Sequence, residues 1–130
     1  MRAGVAQEPV VLQSCRAAQP LVWEGIVQAA SLTKPAIAFA LLELACTGLI
    51  DLQAPISDYL PQGYEHRQNP FAAVAERKTD KMPVQTLSRI SVDQLLNHSS
   101  GLPNWSDGIL ALAFEPGTRW QYSGEGYVLL

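Results

Sequence analysis

The stretch QAASLTKPAIAF, residues 28–39, sets Ser31 and Lys34 three positions apart at the head of an apolar run. A serine hydroxyl becomes a useful nucleophile near neutral pH only beside a proton acceptor. On a helix, residues three apart share a face, so Lys34 can reach back over Ser31. The start of that helix also offers free N–H groups and partial positive charge where an oxyanion would form. Small hydroxyl residues begin ordinary helices as well. The pair alone therefore leaves nucleophile and helix start both open.

The element that must position the pair reads SLTKPAIAFALLELACTG, a helix from Ser31 that stops at Gly48, a residue suited to the left-handed conformation past a helix end. Pro35 falls in the first turn, where a missing N–H costs little. Glu43 is the only charge between Pro35 and Ile50, a pattern that predicts a centrally buried helix. At about sixteen residues the run is short of the roughly twenty that cross a bilayer, so no membrane span is expected. Residues 20–30 suggest one short strand, and residues 1–20 are weakly patterned. Beyond the helix, LIDLQAPISDYLPQG predicts extended chain around a short helical piece. Residues 64–83 are polar and mixed and read as a surface excursion with His66 solvated. SVDQLLNHSSGLPNW opens with Ser91 and carries Gln94 three places on, a capping-box pattern that predicts a short helix over about 92–98. FEPGTRWQYSGEGYVLL predicts a Pro-Gly turn, a Gly-rich bend and the first turn of a helix.

The 130 residues suit one domain, and 48% hydrophobic with 16% charged residues is ordinary for a globular protein. A net charge of −3 with no basic stripe argues against nucleic-acid binding. Cys15 and Cys46 fit no metal spacing, and neither carboxylates nor histidines show ligand spacing, so no metal or cofactor is indicated. Cys46, inside the apolar run, reads as a buried free thiol, with a Cys15–Cys46 disulfide left open. MRAGVAQEPVVLQSC is broken by Gln7, Glu8 and Pro9 and does not read as a signal peptide, which leaves the compartment open.

Five stretches occur in order: SLTKP, GLIDLQAPISDYLP, LLNHSSGLPNW, FEPGTRWQYS and GYVLL. Together, over about residues 26–130, they resemble the serine β-lactamase-related family, in its class C β-lactamase, D-alanyl-D-alanine carboxypeptidase and family VIII esterase branch. The resemblance implies an α/β (α+β) β-lactamase/transpeptidase-like fold. It implies that Ser31 is acylated by an ester, amide or β-lactam, that Lys34 is its partner, and that Tyr122 matches the tyrosine of a Y-x-N motif. A neighbouring ammonium favours a phenolate, so Tyr122 and Lys34 could pass the serine proton between them. Ser123, Gly124 and Trp120 would lie near bound substrate, while His98, in LLNHSSGLP, would be scaffold.

Two features depart from the family pattern. Position 124 holds Gly where Y-x-N carries Asn, although Glu125 could add charge beside it. A late K-T-G or H-x-G strand has no counterpart, because KTD at 78–80 lacks the glycine and HSSG at 98–101 has one residue too many. Such a strand would supply an oxyanion donor worth roughly 3–4 kcal/mol. Residues 1–130 are therefore expected to form a partial domain, mainly the helical half without most of the antiparallel sheet. The alternative is a non-catalytic remnant or partner-binding fragment.

Overall fold

The computed structural model describes residues 25–26, 28–69, 72–76 and 78–130. The chain divides into two units, Met1–Ser31 and Leu32–Leu130. Most of the first unit, including Cys15 and residues 20–24 and 27 of the strand expected over 20–30, lies outside the described residues, while 25–26 and 28–30, which are described, carry no strand. Ala30 and Ser31 excepted, the secondary-structure elements belong to the second unit.

A 3-10 turn, Ala30–Thr33, leads into helix α1, Lys34–Cys46. Pro35 stands in its first turn, and Gly48 follows its end with φ 76°. The predicted helix is thus present, but its predicted central burial is not. Leu41 alone is buried along α1, while Phe39 is 66% and Leu42 46% exposed. Leu41 faces Ile50, Ile56, Leu60, Val92 and Leu129 across a small apolar cavity, so one side of α1 meets the core. Cys46 is a free thiol and exposed rather than buried, because it lies away from that side.

The core is built by short elements after α1. Helix α2, Ile56–Tyr59, is the expected helical piece between Pro55 and Pro61. Residues 64–83 are no solvated excursion: Tyr64–Arg67 (β1) and Thr79–Met82 (β2) form an antiparallel pair, with His66 opposite Asp80 and Tyr64 opposite Met82. Side chains alternate as strands require, but His66 is among those that point inward, fully buried. With His66 and Asp80 among the inward positions beside Tyr64 and Met82, the hydrophobic alternation is broken, which is why sequence patterning missed the pair.

Helices α3, Val84–Leu87, and α4, Val92–Leu96, follow. The Ser91–Gln94 capping box forms in both directions. Helix α4 stops at Leu96, two residues before the predicted end, because Asn97 caps it and His98 takes φ 64°. Main-chain bonds from Ile56 N–H to Ile90 O and from Asp93 N–H to Leu52 O tie the two loops together. Leu87, Ile90, Val92, Leu95, Leu102 and Leu110 then close the core with Ile56 and Met82. The last element, α5, spans Gly124–Leu129. No described helix is long and apolar enough to cross a membrane.

Candidate active site

Three elements converge on Lys34. It is the first residue of α1, half-buried, and its ammonium lies 5.1 Å from the centroid of the Tyr122 ring and 5.4 Å from that of Tyr127. A cation over aromatic faces at such distances is attracted by the ring quadrupoles. The Tyr127 hydroxyl donates to Leu96 O at 3.0 Å, which fixes that ring from the end of α4. Burial, followed by the charge of Tyr122, holds the Tyr127 hydroxyl above its usual range, so it stays a neutral donor. Ser31 sits in the 3-10 turn, exposed, as the last residue of the other unit. Of the three residues expected to do chemistry, the fold brings Lys34 and Tyr122 together.

His98 closes the cluster from behind. Its ring centroid lies 4.6 Å from that of Tyr122, 5.0 Å from that of Tyr127 and 6.0 Å from that of Trp120, the last pair nearly perpendicular at 85°. Burial and then the Lys34 charge keep the imidazole below its usual range. Nothing in sequence patterning pointed to Tyr127 or to this role for His98. The available signal was only that both stood in stretches already singled out for the family.

The residues expected near substrate divide. Trp120 is 69% exposed at the rim of the cluster. Ser123 is instead buried, and its hydroxyl is used structurally: it donates to Pro103 O at 2.8 Å and accepts from Gly126 N–H at 2.7 Å, capping α5. Gly124 is also buried, packed against Asn104, whose side-chain oxygen accepts its N–H at 3.1 Å. A β-carbon at position 124 would stand 2.5 Å from Asn104 O and 2.9 Å from the Trp105 ring. The close approach of the Asn104 backbone leaves no room for a β-carbon at this position.

Glu125 belongs to a buried polar group. Its carboxylate accepts from Ser106 N–H at 2.9 Å and faces His66 Nε2 at 3.4 Å. The other ring nitrogen, Nδ1, lies 2.7 Å from Asp80 Oδ1. Asp80 also accepts from Gln68 Nε2 and Leu110 N–H. Burial alone would raise the Asp80 carboxyl, but the bonds from His66, Leu110 and Gln68 outweigh it and hold it below the usual range. His66, expected in solvent, is thus the buried link between β1, β2 and the start of α5. Among the described residues no cluster has the arrangement of a metal site.

The chain is 28% identical to Esterase EstB of Burkholderia gladioli over 82% of its own length and 31% of that protein's. It is 26% identical to Penicillin-binding protein 4* of Bacillus subtilis (strain 168) over 86% of its length and 25% of that protein's. It therefore spans about a quarter to a third of these relatives. No solved structure matches it significantly. The Beta-lactamase family model matches residues 6–130, almost the whole chain, and the chain belongs to that family.

Proposed function

We propose that these residues belong to the catalytic domain of a serine hydrolase and supply its helical part, with Ser31 as the acylated nucleophile. The Ser31 Oγ attacks a carbonyl carbon and gives up its proton to the Lys34–Tyr122 pair. The carbonyl's C–O or C–N bond breaks, and the leaving group takes that proton. Water then attacks the acyl ester with the same pair accepting its proton, which releases the acid and restores the serine. One relative is named an esterase and the other for penicillin binding. Both chemistries open at a carbonyl, so ester, amide and β-lactam are the substrate classes proposed.

The single observation that carries this reading is the Lys34 ammonium over the Tyr122 ring at 5.1 Å, in a chain of this family with serine three residues before the lysine. A fluorophosphonate probe tests it on the full chain. Covalent addition that maps to Ser31 and disappears in Ser31→Ala is the expected result, and no addition to the folded chain sinks the proposal. A second reading, a segment that binds a partner without catalysis, is favoured by the exposed Phe39, Leu42 and Leu44 on α1. Under that reading the folded chain does not label.

A further inference from the structure

We infer that His98 is a positioning residue for Tyr122, holding that tyrosine by bonds to both of its chain neighbours; the inference rests on the proposed role of Tyr122. The backbone carbonyl of His98 accepts from Gln121 N–H at 2.9 Å. Its ring Nδ1 accepts from Ser123 N–H at 3.1 Å. Tyr122 lies between those two donors, and its ring packs on the same imidazole at 4.6 Å. One residue thus grips the tyrosine before, behind and across its face.

The backbone of His98 carries a second sign. With φ 64° it occupies the left-handed region, uncommon for a residue other than glycine. Ending α4 needs only a residue that enters this region readily, and Gly or Asn does so with less strain. Histidine adds an imidazole at a backbone geometry in which both its carbonyl and its ring meet residues 121–123. Strained residues that persist in folded proteins cluster where the surroundings over-determine them, and here three contacts do so.

The clamp requires a bare Nδ1, hence a neutral ring with its proton on Nε2. The titratable groups facing the ring are Lys34 from α1, Tyr122 from the preceding loop and Tyr127 from α5. The lysine charge and the burial both favour the neutral form. Protonation would set an N–H against the Ser123 N–H and release the tyrosine.

The test uses the full chain and two readouts. Long-range ¹H–¹⁵N spectra of the wild type report which ring nitrogen of His98 is protonated. Nδ1 bare near neutral pH is expected, and a proton on Nδ1 overturns the clamp. His98→Asn and His98→Gly both accept the left-handed backbone, but only Asn presents an oxygen near the place of Nδ1. Fluorophosphonate labelling of Ser31 is expected to be slower in His98→Gly than in His98→Asn by about tenfold, within the range that small misplacements of catalytic groups produce. Equal rates in the two variants, whether fast or slow, overturn the inference. If the wild type does not label, the hydrolase reading fails separately. The Ser123 amide and Tyr122 ring signals then decide: shifts in His98→Gly that His98→Asn does not share sustain the clamp, and identical spectra overturn it.

Discussion

His66 and Glu125 are 59 positions apart, yet the ring Nε2 of one lies 3.4 Å from the carboxylate of the other, and both side chains are buried. With Asp80 at 2.7 Å on the opposite ring nitrogen, the imidazole separates two carboxylates. That arrangement ties the β1–β2 pair to the first turn of α5, directly after Tyr122 and Ser123. Removing the ring would leave both carboxylates facing a void. His66→Ala should therefore cost about 1–3 kcal/mol or more, the usual penalty for leaving buried polar groups unsatisfied. Glu125→Gln, which can still accept from Ser106 N–H, should cost less. Urea unfolding of the two variants checks the order.

The pH dependence of stability should fall on the acid side in two limbs. Asp80 is held below its usual range in the folded chain, so between the folded and unfolded values the unfolded chain binds more protons. Its contribution is present above the unfolded value of about 3.9 and is lost as pH drops through the folded value. His98 is also depressed, by burial and then by Lys34. The sign is the same, with a window that opens at the unfolded histidine value of about 6.5 and closes at the lowered folded one. Unfolding free energies across pH 3–8 should flatten in the upper window for His98→Asn and in the lower one for Asp80→Asn.

How far the sequence could be read depended on which signals were apolar or local. The α1 run, its stop at Gly48 and the Ser91–Gln94 box are local, and all three formed, although α1 starts at Lys34 after a 3-10 turn rather than at Ser31. The β1–β2 pair was hidden because its inward positions include His66 and Asp80, polar residues whose partners lie on other elements. Central burial of α1 was over-read: apolar character states what a helix can bury, whereas the described core supplies a partner only at Leu41. Spacing singled out Lys34 beside Ser31 and the family resemblance singled out Tyr122, and the fold places Lys34 and Tyr122 next to each other. The roles of Asn104, Tyr127 and His98 were not, since each depends on a tertiary contact that no short motif encodes.

Restoring the family asparagine at position 124 should harm the chain. A β-carbon there meets the main-chain oxygen of Asn104 at 2.5 Å, and a backbone atom cannot swing aside as a side chain can. Gly124→Asn must also displace the Trp105 ring at 2.9 Å. Overpacking of this kind costs about 1–3 kcal/mol. A thermal midpoint several degrees below that of the wild type is expected. An unchanged midpoint would mean that the 103–105 segment yields freely and that glycine is not required by packing.

The two tyrosines beside Lys34 should separate chemistry from support. Both present ring faces to the same ammonium, at 5.1 and 5.4 Å. The Tyr127 hydroxyl is bonded to Leu96 O, so Tyr127→Phe keeps the cation–π face and forfeits that bond, a loss of about 1 kcal/mol in stability. Ser31 labelling should then change by no more than a few fold. Tyr122→Phe also keeps its ring but removes the hydroxyl proposed to share the serine proton. Labelling should fall by about a hundredfold or more, the usual scale for a lost general acid–base group, while the unfolding midpoint moves little. Lys34→Met should behave like Tyr122→Phe, because a cation–π contact at a partly exposed site is worth only about 0.5–1 kcal/mol. Measuring labelling rate and urea midpoint on the three variants decides the assignment. A Tyr127→Phe chain that loses labelling while Tyr122→Phe retains it would move the proton-sharing role to the other ring.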